Sequence, residues 1–178
     1  SVSGLTSTGS VGISQDDDID IVGTGISAVN DISVASSAAV TINVDVGSSV
    51  DSSGGEIFLE SGTGNLNLAL TSGPLTAGTV TLTSNAGVVD IDSDPTNTAG
   101  GITFGPSAGI TLDDNLTAMG PIDASVVTGD ITIGTAATTI DSTNADITLG
   151  GPIVGAQDLI LDAAAGVISL QAVGGATD

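Results

Sequence analysis

The side chains able to do chemistry in this sequence are carboxylates. There are 21 Asp and Glu residues and no Lys, Arg, His, Cys, Trp or Tyr. Two acidic runs stand out by their spacing. Asp16, Asp18 and Asp20 form one, and Asp90, Asp92 and Asp94 form the other. Acids at i, i+2 and i+4 of an extended chain project from one side. Calcium takes about six to eight oxygens from carboxylates, carbonyls and water, so three acids supply roughly half a shell. Both runs are therefore candidate calcium ligands, and no other cofactor is indicated. The competing reading is a plain acidic turn. Neither the glycine-rich calcium nonapeptide of toxin repeats nor a full EF-hand loop is present. Asp51 and Asp113-Asp114 add acids without the alternating spacing.

The missing residue types exclude more than the acids suggest. An average domain is about 25% charged with both signs present, whereas this chain is 12% charged and carries a formal net charge of -21. Without Lys or Arg there is no nucleic-acid-binding surface. Nucleophiles built on His, Lys or Cys are impossible, as are the usual zinc and iron–sulfur ligand sets. Paired carboxylates leave acid–base hydrolysis of a polysaccharide formally open. Sugar sites normally offer aromatic platforms and basic donors, and none exists here, so no catalysis is expected. Gly23-Thr-Gly25 and Gly62-Thr-Gly64 lack the lysine of a phosphate-binding loop and read as turns.

The elements that must position these acids are short strands. Ile, Leu and Val alternate with Thr, Asp and Asn in Asp18-Ile-Asp-Ile-Val22, Asn65-Leu-Asn-Leu-Ala-Leu70, Thr79-Val-Thr-Leu-Thr83, Asp130-Ile-Thr-Ile133 and Asp146-Ile-Thr-Leu149. Period two means one face in and one face out. Gly, Asn, Asp and Ser fill the gaps as turns require. Residues 158–170 read as two strands around a turn.

Anchoring on the first inward aliphatic of each segment gives two interleaved series. Ile19, Ile42, Leu66, Val89, Ile110, Ile131 and Ile153 are separated by 23, 24, 23, 21, 21 and 22 residues. Ile32, Ile57, Val80, Ile102, Val126, Ile147 and Ile168 are separated by 25, 23, 22, 24, 21 and 21. A third series passes through Leu116, Ile140 and Leu161. Series that keep step at 21–25 residues describe a repeat whose units stack to bury one shared core. The expectation is an all-β chain wound as a parallel β-solenoid of roughly eight coils. At about 4.8 Å per coil the column would be on the order of 35–40 Å long. An antiparallel β-sandwich is the alternative, since it too uses strands at close spacing. Residues 1–178 read as a single domain or repeat segment, with 1–17 a loose N-terminal segment or linker. Loops are expected at Asp94–Gly101 and Leu112–Ala124. No apolar run is long enough for a transmembrane helix.

The phrases Gly129-Asp-Ile-Thr-Ile-Gly134, Ala145-Asp-Ile-Thr-Leu-Gly-Gly151, Asp158-Leu-Ile-Leu-Asp-Ala163, Gly166-Val-Ile-Ser-Leu170 and Gly78-Thr-Val-Thr-Leu-Thr-Ser84 resemble the repeats of filamentous-haemagglutinin-type bacterial exoproteins. The similarity covers most of residues 55–173. It implies a right-handed parallel β-helix, exported to the bacterial surface or secreted, serving as a shaft, surface layer or fibre. It also implies an adhesin for a glycan or host receptor as the rival function. The partner expected first is the chain itself, stacked end to end or continued in a longer solenoid.

Overall fold

The structure is a computed structural model that describes residues 1–69, 75–92, 96–97, 99–134 and 136–173, with the backbone path alone for 41–48 and 172–173. It contains strands and no helix among the described residues. Every strand pairing there is parallel. That settles the architecture as a parallel β-solenoid and excludes the sandwich.

The strands are, in chain order, β1 (Leu5–Ser7), β2 (Val11–Gln15), β3 (Ile19–Ala28), β4 (Ile32–Ser36), β5 (Val40–Ser52), β6 (Glu56–Ser61), β7 (Leu66–Leu68), β8 (Leu75–Thr76) and β9 (Thr79–Ile91). They continue as β10 (Thr96–Asn97), β11 (Gly101–Leu112), β12 (Leu116–Ala118), β13 (Ile122–Ala124), β14 (Ile131–Ile133), β15 (Thr138–Ser142), β16 (Ile147–Val154), β17 (Leu159–Asp162) and β18 (Ile168–Val173). The long ones bend at a corner and serve two ladders.

The first ladder stacks β2, β4, β6, β9, β11, β13, β16 and β18. Its inward row is Val11, Ile32, Ile57, Val80, Ile102, Ile122, Ile147 and Ile168. The second ladder stacks β1, β3, β5, β8, β10, β12, β15 and β17. The third stacks β3, β5, β7, β9, β11, β14, β16 and β18, with the row Ile19, Val40, Leu66, Val89, Ile110, Ile131, Ile153 and Val173. Eight strands per ladder make seven turns. The described inward Val, Ile and Leu residues between the first and last coils merge into one continuous core. No coil could bury them alone, because each inward residue is covered only by its neighbours above and below. Phe104 fits inside, whereas Phe58 points outward.

Two anchors of the sequence series slip. Val40 takes the rung assigned to Ile42, which instead stands in register between Ile21 and Leu68. Ile122 takes the rung assigned to Val126, which is 52% exposed. The strand β13 is short, and its second inward residue is Ala124. Val126 therefore looked the stronger aliphatic signal although it lies in a turn. The third series holds without change. Residues 1–17 contribute two strands to the column, β1 paired with β3 and β2 with β4. The loop expected at Leu112–Ala124 carries β12 and β13. In the Asp94–Gly101 stretch Thr96 and Asn97 form β10, while Asp94, Pro95 and Thr98 lie outside the described residues.

The corners are polar, and several of their side chains bond to backbone carbonyls of the same or the neighbouring coil, whereas the buried Ser107 hydroxyl has no hydrogen-bond partner. Gln15, Ser36, Ser61, Ser84 and Ser107 stand in one vertical row. The Ser36 hydroxyl donates to the Asp17 carbonyl at 2.6 Å, and the Ser84 hydroxyl to the Gly64 carbonyl at 2.9 Å. Asn97 is buried at another corner, where its Nδ2 donates to the Gly101 carbonyl at 2.8 Å. Buried polar groups need such partners.

Candidate metal centre

Carboxylates in this fold divide into those that hold the coils together and those that gather on the surface. The first kind occupies the position just before an inward aliphatic. There Oδ1 of Asp18, Asp31, Asn65, Asn115 and Asp146 accepts the backbone N–H of Ala39, Glu56, Val88, Thr139 and Val167 respectively, at 3.2, 3.1, 3.0, 2.8 and 2.8 Å. Each donor lies on the next coil and also just precedes an inward aliphatic. The acid or amide thus clasps the start of one strand to the start of the strand above. The signal stood in the sequence as Asp or Asn before each alternating pair, in Asp18-Ile-Asp-Ile, Asn65-Leu-Asn-Leu and Asp146-Ile-Thr-Leu. Read as turn composition, it had concealed a specific hydrogen bond.

The second kind meets at one place. Asp90 lies in β9, in register between Asn67 on one side and Thr111 on the other. Asp92 follows two residues later, so it shares the outward face with Asp90. The N–H of Asp92 donates to the Leu68 carbonyl and that of Asp113 to the Ile91 carbonyl, both at 2.9 Å. This continues the third ladder by one residue and stands Asp113 directly beside Asp92. Carboxylate oxygens of Asp90, Asp92 and Asp113 come within 4.8 Å of one another. Gly134, next in that row, leaves room for the Asp113 carboxylate that a Cβ would occupy.

The electrostatics of the trio are unfavourable for three bare charges. Asp90 is half-buried, and its Oδ1 is buried without a hydrogen-bond partner. Burial first, then the charges of Asp92 and Asp113, push its carboxyl above the ordinary value. No basic side chain exists anywhere in the sequence to compensate. Three hard oxygens with one unsatisfied are a donor set suited to a dication such as calcium, with water and carbonyls completing the shell.

Of the residues singled out by spacing, Asp90 and Asp92 are brought together, and Asp94 lies outside the described residues. Asp113, from the next coil, is the member that linear spacing could not reveal. The other run behaves differently. β2 ends at Gln15 and β3 begins at Ile19, so Asp16 and Asp18 sit in a corner and not on one extended strand with Asp20. Asp18 is committed to its clasp with Ala39, and the Asp16 carbonyl accepts the Ser37 hydroxyl at 2.9 Å. Asp20 is exposed within β3 and in register with Thr41. Among the described residues, Asp90, Asp92 and Asp113 form the one close group of three possible ligands. No helix among the described residues is long and apolar enough to cross a membrane. Comparison of the chain with family models, curated proteins and solved structures finds no match in any of the three.

Proposed function

We propose that the chain is a structural column, standing outside a bacterial cell as a shaft, surface layer or fibre, and without catalysis. The observation that carries this reading is the set of three parallel ladders running from the first coil to the last around one aliphatic core. Many of its acidic residues lie exposed or clasp neighbouring coils, which suits a repetitive column that must stay soluble. The resemblance of its repeat phrases to those of filamentous haemagglutinins supports the extracellular placement. A chain free of Lys and Arg also offers trypsin-like proteases no site. Antibody raised against the purified chain should label intact cells of the source organism. Label appearing only after permeabilisation would overturn the placement.

A second reading concerns the ion. The close group Asp90, Asp92 and Asp113, with its unpartnered buried oxygen, favours calcium binding that steadies the middle of the column. On this reading Tm rises with calcium in wild type but not in Asp92→Asn. A Tm unchanged between chelator and millimolar calcium would remove the ion from the account.

A further inference from the structure

The column is a line of charge, and its ladders fix the density of that line. The first ladder climbs from Val11 to Ile168 in seven turns, about 22 residues to a coil. The same stretch of sequence holds 20 of the 21 carboxylates, all but Asp178, and no basic side chain. Seven turns at about 4.8 Å rise about 34 Å. That is one negative charge per about 1.7 Å of axis, the linear density of double-stranded DNA. The value is set inside these seven turns and owes nothing to either end of the column.

These charges are presented outward and on every side. No Asp or Glu whose side chain is described is buried. Glu56 and Asp123 belong to the first ladder, Asp141 and Asp162 to the second, and Asp20 and Asp92 to the third. A coil of about 22 residues at about 3.3 Å each has a perimeter of about 70 Å, hence a radius of about 12 Å. That is close to the Debye length of about 10 Å at 0.1 M salt, so below that concentration acids on different faces act on a ligand together. Two like charges in water repel by the thermal energy at about 7 Å. Charges about four times closer than that along the axis hold a layer of small cations around the column.

We infer that the column binds flexible polycations, and that the partner it fits is a Lys- or Arg-rich segment of another protein laid along its surface. Each bound ammonium or guanidinium displaces a condensed cation, and release of those cations to bulk drives the association, as it does for basic proteins on DNA. The chain has no basic side chain of its own to compete for the acids. The partner is held by the field of the whole column, and not by the Asp90 group or any other single cluster. Binding of this kind reads charge and length and not sequence. It adds an activity to the structural column, and it rests on the winding of the chain and not on where the column stands.

Acetylated peptides of three and six lysines, titrated against the full chain by fluorescence anisotropy, test this. Log K should fall with log salt at about -0.9 per lysine. A fourfold rise in salt, kept below about 0.1 M, should then weaken the three-lysine peptide about fortyfold and the six-lysine peptide about a thousandfold. A slope below about half that value would mean that no cation layer is released, and would overturn the inference. So would an equal salt effect on both peptides, or no binding at the lowest salt. Two double variants then separate the line of charge from a local site. Asp20→Asn with Asp130→Asn clears acids from the third ladder, and Asp141→Asn with Asp162→Asn from the second. Each pair removes about a tenth of the charge and hence about a tenth of log K. Both should weaken the six-lysine peptide by the same factor, about threefold for a non-specific Kd of about 10⁻⁵ M. A loss confined to one pair, or abolition of binding by Asp92→Asn alone, would assign the peptide to one cluster and overturn the inference.

Discussion

Replacing Asp146 separates a clasp from a charge. Its Oδ1 accepts the Val167 N–H at 2.8 Å, while the Ile147 N–H donates to the Val167 carbonyl at 2.9 Å. The two bonds together start β18 over β16. A hydrogen bond to a charged group contributes about 1.5–3 kcal/mol and a neutral one about 0.5–1.5. Asp146 is exposed, which places this bond near 1 kcal/mol, in the range where water competes for the donor. Asp146→Ala should therefore lower stability by about 1 kcal/mol, or roughly 2–4 °C in Tm for a chain of this size. Asp146→Asn keeps the Oδ1 acceptor, as Asn65 and Asn115 do at equivalent places, and removes one of many like charges. It should leave Tm within about 1 °C of wild type. Amide hydrogen exchange gives the local readout. The Val167 amide should exchange faster in the alanine variant and not in the asparagine variant. If both substitutions harm stability equally, the carboxylate acts through charge and the clasp does not exist. If neither does, water replaces the bond without loss.

Other outcomes follow from the same arrangement of acids. Asp90 has its carboxyl raised above the ordinary 3.8 by burial and by its two acidic neighbours, so the folded chain retains a proton that the unfolded chain has released. Stability therefore falls as pH rises from the unfolded value through the raised native one, and levels off above both. Asp90→Asn should remove that component. Urea denaturation should find the variant more stable than wild type near neutral pH, with the difference vanishing at acid pH; a difference independent of pH would refute the cause. Thr148 stands in register between Asp123 and Ser169, so Thr148→Asp would place two acids one coil apart. It should destabilise by about 1 kcal/mol in low salt, recover in high salt, and differ from Thr148→Asn; equal effects of the two would show that β propensity and not repulsion is responsible.

The winding of the chain was legible because its period is physical. Each inward Ile or Leu must find a neighbour one coil away, so the aliphatic series had to keep step. The places where anchors slipped are those where several apolar residues competed for one rung, as Val40 and Ile42 did, or where an inward residue was small, as Ala124 is. The strands β1 and β13 carry little signal because they are short and flanked by Gly, Ser, Thr and Pro. Asp90 and Asp92 were legible as a pair from alternation alone. Asp113 was not, because what joins it to them is the vertical register of two coils, and that register depends on the summed lengths of every intervening turn. The clasps were hidden for a related reason. Asp before an aliphatic strand is ordinary turn chemistry in one dimension, and becomes an inter-coil bond only when the next strand start lies above it.

The same vertical register resolves how a chain with no basic residue can stack coils about 4.8 Å apart at all. Most outward acids in paired positions are separated along the column by hydroxyl or amide residues. Asp51 lies between Ser27 and Thr76, Asp90 between Asn67 and Thr111, and Asp123 between Thr103 and Thr148. Glu60 lies between Ala35 and Thr83, and Asp20 faces Thr41. Direct acid-on-acid stacking occurs where Asp162 pairs with Asp141, where Asp113 stands beside Asp92, and where Glu56 stands beside Asp31, both of them exposed. Like charges directly opposite are destabilising, and spacing them by a further coil weakens the repulsion while letting solvent and salt screen it. Threonine thus does two things here: it favours the strand, and it keeps carboxylates apart. Asp162 is exposed to solvent on the penultimate strand, where its charge is screened. The stacked Asp92 and Asp113 are instead in the middle of the column and flank the half-buried Asp90, whose Oδ1 is buried without a hydrogen-bond partner, so there the failure of the spacing rule bears on a partly desolvated carboxylate. A cation is the physical remedy available to such a site, which is why this group, and not the longer acidic run at Asp16–Asp20, is where the chemistry of the chain should be sought.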